Sequence, residues 1–107
     1  ANALALSLYT PSYGAILCHE HAHIVEDECG APGFFTGGAQ TIGVPGAHGK
    51  IDPAALQKMM EQLSTTLTHP SALSLTQATE AGTVYTLSEL DALVQIAKAA
   101  RLAVHMD

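Results

Sequence analysis

At 107 residues the chain is about two thirds of the ~150 expected of an average domain. Four Lys plus Arg against ten Asp plus Glu give a net charge of −6, which argues against a nucleic-acid phosphate binder and against a polybasic membrane-surface segment. Hydrophobic residues make up 48% and charged ones 13%, where a free-standing domain carries ~25% charge; the chain is too apolar for a disordered tail and reads as a piece of something larger or as an obligate oligomer.

No run of ~18 apolar residues exists to span a membrane, and the first residues lack the positive region of a signal peptide. Cys18 and Cys29 make neither a disulfide framework nor a zinc-ribbon pair, so a reducing cytoplasm is the expected compartment. Residues 1–9, rich in Ala and Leu, predict a buried helix already under way at residue 1. Pro11-Ser12-Tyr13-Gly14 is a turn. Ala15-Ile16-Leu17-Cys18 is a short apolar run of the kind buried on both faces of a sheet. His19 to Glu28 reads as polar and irregular, and the glycine-rich stretch 30–38 as a short helix or a loop. A strand is predicted over 41–45 and a turn over 46–50.

Asp52-Pro53 marks a helix start, followed by Leu56, Met59, Met60 and Leu63 at helical spacing. Thr68-His69-Pro70 predicts a break, 72–75 a strand, and 82–85 a turn or extended piece. Thr86 with Glu89 is a capping box, and Leu90, Leu93, Val94, Ala97 and Ala100 form one apolar face behind it. Leu102 to Met106 predicts a last strand before Asp107. Alternating strands and helices argue for an α/β domain around a largely parallel sheet flanked by helices.

The densest polar group is Cys18-His19-Glu20-His21-Ala22-His23, followed by Glu26, Asp27 and Glu28. If the chain is extended, His19, His21 and His23 share one face, and three imidazoles there are candidate zinc ligands. This is the alternative function, a small His-rich metal-binding protein. The spacing alone fixes no geometry, so a solvated loop carrying one useful histidine is the simpler reading. Asp107 follows the last strand, and ligands of open α/β sheets bind outside the carboxyl ends of strands. The same position also suits an ordinary loop residue or helix cap. Cys18 and Cys29 read as inert, since a reactive thiol needs a positive or dipolar setting.

Residues 16–24, Glu28-Cys29-Gly30-Ala31-Pro32, Gly49-Lys50-Ile51-Asp52-Pro53, Gly82-Thr83-Val84-Tyr85 and Val104-His105-Met106-Asp107 together resemble the low-specificity L-threonine aldolases. These are pyridoxal 5'-phosphate enzymes of the aspartate aminotransferase fold, within the aromatic amino acid β-eliminating lyase/threonine aldolase group. The resemblance covers essentially the whole chain in order. It implies that residues 1–107 are a partial cofactor-binding large domain, truncated at both ends and without the small C-terminal domain. The implied reaction is cleavage of L-threonine or L-allo-threonine to glycine and an aldehyde, in a homodimer or homotetramer.

The resemblance implies that His23 stacks on the cofactor ring and serves in acid/base chemistry. It implies that Asp107 pairs with the pyridine nitrogen, and that Asn2 follows the phosphate-binding loop. A second active-site histidine of many family members is replaced near Thr79. Lys50, Lys58 and Lys98 do not match the Schiff-base lysine, so the isolated chain is expected to be inactive.

Overall fold

The segment Gly-Ala-Ile-Leu-Cys-His offers no polar side chain until its last residue, and all six residues of this strand, β1 (Gly14–His19), are buried. A strand without alternation has to be covered on both faces. The computed structural model, which describes residues 1–107, supplies that cover. β1 lies between β2 (Gln40–Val44) and β3 (His69–Leu75), and β4 (Ala103–Met106) pairs with the far side of β3. All three pairings are parallel, in the order β2-β1-β3-β4.

Successive side chains of a strand point to opposite faces. Leu17 therefore packs on one side of the sheet with Val44, Leu73 and Leu75, against Leu56 of α4 (Pro53–Leu63) and Leu93 and Ala97 of α5 (Leu87–Ala99). Ile16 and Cys18 face the other way, toward Leu6 of α1 (Asn2–Ser7) and Ile24 of α2 (His23–Glu26). A fifth helix, α3 (Ala31–Thr36), packs on α1. The arrangement is the predicted one, a parallel sheet flanked by helices.

Both long helices start where the sequence signals place them. The Asp52 carboxylate accepts the Ala55 N–H at 3.0 Å ahead of Pro53. The Thr86 hydroxyl accepts the Glu89 N–H at 3.1 Å while the Glu89 carboxylate accepts the Thr86 N–H at 2.8 Å. Each such cap is worth about 1 kcal/mol.

Several boundaries differ from the sequence expectation: α2 lies in the stretch read as irregular, β2 spans 40–44 instead of 41–45, and β4 starts at Ala103 instead of Leu102. The first helix ends at Ser7, leaving Leu8 and Tyr9 exposed beyond it. β1 runs one residue further, so His19 is strand rather than loop. β3 begins at His69 and passes through Pro70, where a break is expected. A proline lacks the N–H of a ladder bond. It is tolerated because the register shifts between Ala15 and Ile16, which pair with Pro70 and Ala72, and because β4 joins only at Ala72.

Candidate active site

The chain moves from β1 outward to β2, then crosses back to β3 on the other side of β1. Such a reversal opens a crevice at the carboxyl ends of the strands, where open α/β sheets bind ligands. A cavity of about 450 Å³ lies there. Its wall comes from His19, Glu20 and His21 after β1, Gly46 and His48 after β2, and Thr76, Thr79 and Glu80 after β3. Histidine, acidic and hydroxyl side chains on this wall, among them His19, Glu20, His48 and Thr76, offer polar contacts to a small ligand.

The three alternating histidines do not converge. His19 is 6% exposed, and both its ring nitrogens are used. Nε2 lies 2.8 Å from the Gly46 carbonyl, and Nδ1 accepts the His21 N–H at 3.1 Å. A carbonyl only accepts, so the proton sits on Nε2 and no lone pair is left for a metal. His21 is on the surface, and His23 opens α2 after the chain has turned. No three His, Cys, Asp or Glu side chains stand together as a metal-ligating group, and the three-imidazole zinc reading fails. The alternation predicts a shared face only for extended chain, and the extension stops at His19.

His21 Nδ1 lies 2.7 Å from Glu26 Oε1. The hydrogen bond to Glu26 holds the imidazole above its ordinary value of 6.5, against a smaller opposing effect of desolvation. The pairing therefore favours the fold below pH 6.5 and fades as pH rises through the elevated value. Both groups are largely exposed, so the contribution to stability is slight. Glu26→Gln is expected to bring the His21 midpoint in an NMR titration down toward 6.5; an unmoved midpoint would contradict the assignment.

Asn2, His23 and Asp107, from α1, α2 and the end of β4, are linked in a chain through Glu28, which the sequence did not single out as a site residue. Asn2 Nδ2 donates to Glu28 Oε1 at 3.2 Å. His23 Nδ1 lies 3.2 Å from the same oxygen and 3.6 Å from Asp107 Oδ2. Asp107 is set in place by its backbone. Its N–H donates to the Leu75 carbonyl at 2.8 Å, and its carbonyl accepts the Gln77 N–H at 3.0 Å.

The loop after β3 is closed by its own side chains. Gln77 bonds Tyr85 reciprocally, with Nε2 to the Tyr85 carbonyl at 3.1 Å and Oε1 from its N–H at 2.8 Å. Thr79 is 8% exposed, and its hydroxyl lies 2.6 Å from that of Thr83. That hydroxyl is occupied in holding the loop. Cys18 is buried among apolar side chains, which pushes its thiol up to about 12 and keeps it inert.

The model of the beta-eliminating lyases matches residues 1–107. The chain belongs to the beta-eliminating lyase family. Within this family it is 39% identical over 108 residues to the low specificity L-threonine aldolase of Pseudomonas sp. (strain NCIMB 10558), covering 100% of this chain and 31% of that protein. The chain thus spans about a third of the length of that curated relative. The threonine aldolase of Leishmania major superposes with a TM-score of 0.89 at 25% identity, over 99% of this chain and 31% of that one. An archaeal alanine:glyoxylate aminotransferase superposes with a TM-score of 0.77 at 18% identity, over 99% of this chain and 25% of that one, a likeness of fold. The beta-eliminating lyase chain therefore has the aminotransferase-like architecture expected of it.

Proposed function

We propose that residues 1–107 are part of the large domain of a pyridoxal-phosphate-dependent threonine aldolase. Its substrates are L-threonine and L-allo-threonine, cleaved to glycine and acetaldehyde. The observation that carries this reading is the linked series Asn2–Glu28–His23–Asp107 at the carboxyl edge of the sheet. Three elements far apart in sequence deliver these side chains to one place, and Ala22, next to His23 in the chain, lines the cavity.

The residues present fit the cofactor's ring. The Asp107 carboxylate, 30% exposed, is an acceptor suited to a protonated pyridine nitrogen. The His23 imidazole, 37% exposed, offers a flat face to lie against that ring. When bound, pyridoxal phosphate withdraws the electron pair that the breaking Cα–Cβ bond leaves on the substrate. A neutral imidazole takes up protons near pH 7. His23 Nε2, which makes no hydrogen bond within the chain, receives the β-hydroxyl proton as the aldehyde carbonyl forms. Thr79 is not the base, because its hydroxyl is committed to Thr83.

The covalent anchor is not among these residues. Lys50 Nζ is held by Glu89 at 2.9 Å, and Lys58 and Lys98 lie in α4 and α5. A polypeptide limited to residues 1–107 is expected to be inactive. Exposed Leu4, Leu8, Tyr9, Tyr13 and Phe34 accord with a homodimer or homotetramer. No helix is long and apolar enough to cross a membrane.

The test uses the full-length gene product, purified with pyridoxal phosphate and given L-threonine or L-allo-threonine. Glycine and acetaldehyde should appear in equal amounts, and only when the cofactor is present. Absence of both products with both substrates would sink the proposal.

A further inference from the structure

His23 Nδ1 is fully buried, yet it has no hydrogen bond of good geometry. A buried polar nitrogen left in this state costs about 1–3 kcal/mol. Its surroundings say which form of the ring makes the site tolerable. The two groups that face Nδ1 are carboxylates, Glu28 Oε1 at 3.2 Å and Asp107 Oδ2 at 3.6 Å. Ionised carboxylates only accept hydrogen bonds. A lone pair on Nδ1 would be repelled by both, whereas an N–H there is attracted by both. The neutral ring therefore carries its proton on Nδ1, and its free lone pair is on Nε2.

The two carboxylates are not equivalent. Glu28 is nearer, and its side chain is 16% exposed against 30% for Asp107. Glu28 is also tied to α1, because Asn2 Nδ2 donates to the same oxygen that faces His23. Asp107 has no such tether on its side chain. Resting on the reading of His23 as the base, we propose that Glu28 is the positioning residue of this site. It fixes the His23 ring by its Nδ1 edge, sets the Nδ1–H tautomer, and leaves the Asp107 carboxylate free for a cationic partner. Asn2 then acts through Glu28 as the strut that holds the carboxylate in line. A tautomer fixed by the partner of the other ring nitrogen is a general device for aiming an imidazole lone pair.

The test is a tautomer measurement on the full-length gene product labelled with nitrogen-15 histidine, above the titration of the ring, with His23 signals assigned by their loss in His23→Asn. The wild type should show the pattern of a ring protonated on Nδ1. Glu28→Ala should shift the population toward the Nε2–H form, against the weaker pull of Asp107, and Asp107→Ala should leave the proton on Nδ1. Glu28→Gln, close in shape and still an acceptor, should retain part of the Nδ1–H form and serves if the alanine variant fails to fold. A wild-type ring protonated on Nε2 overturns the proposal, as does a tautomer that responds to Asp107→Ala and not to Glu28→Ala or Glu28→Gln. Either of these with intact aldol cleavage leaves the aldolase reading standing, so the two failures are distinguishable. The expected tautomers in a protein that cleaves no threonine would support Glu28 as the partner of His23 and sink the aldolase reading alone.

Discussion

Asp107→Asn in the full-length gene product is expected to lower kcat for threonine cleavage by about 10³-fold, the upper scale for losing one preorganised electrostatic stabiliser. The argument separates charge from position. Asp107 is placed by its main chain, through the Leu75 carbonyl at 2.8 Å and the Gln77 N–H at 3.0 Å. Asparagine keeps both bonds and nearly the same shape, so the melting temperature should hardly move. What it removes is the negative charge that keeps a pyridine nitrogen protonated. The readout is kcat from glycine formation at saturating cofactor, with thermal unfolding alongside. A loss under about tenfold, one pKa unit's worth of free energy, would remove Asp107 from the proposed role.

Gly46→Ala should be the most destabilising of the small substitutions near the site, by about 4 kcal/mol. Backbone conformation is not the cause, since φ at Gly46 is 175°, ordinary extended chain. Space is. An added Cβ would fall 1.7 Å from the Lys50 carbonyl oxygen and 2.6 Å from the Asp52 nitrogen, both main-chain atoms that cannot swing aside. The 45–52 loop would have to open, which breaks the Asp52 N–H bond to the Pro45 carbonyl and withdraws the Gly46 carbonyl from His19 Nε2. Overpacking costs about 1–3 kcal/mol. An unpaired N–H on the buried His19 costs about 1–3 kcal/mol more. Urea unfolding of both proteins reads the difference. A change below about 1 kcal/mol would mean that the loop has slack the structure does not show.

Much of this was visible in the residues. The apolar run 15–18, the cap at Asp52 and the capping box at Thr86 are local signals, and local signals place elements well. Family resemblance supplied His23, Asp107 and Asn2 as site residues, and the fold brings the three together. Two features could not be read. The burial of His19 depends on a carbonyl 27 residues away, at Gly46, that no local pattern announces. Glu28 looked like one of several acids in a polar stretch, and only the return of α1 to its side and its contact with His23 distinguish it. Pro70 misled for the opposite reason. Its local meaning is a break, but the partner on one side starts late and the partner on the other shifts register around it.

The strand order has a consequence for biosynthesis. β1 is one of the two inner strands, yet its neighbour β3 begins fifty residues after β1 ends, at His69 against His19. A ribosome adds about 5–20 residues per second, so the unpaired edge of β1 waits about 3–10 s for its partner. During that interval Ile16 and Leu17, fully buried in the finished sheet, have at most β2 beside them. The nascent chain thus presents a short apolar strand with an open edge, the form that holdase chaperones bind and that pairs wrongly with its own copies. Slowed elongation between Ala47 and Thr68 would lengthen that exposure.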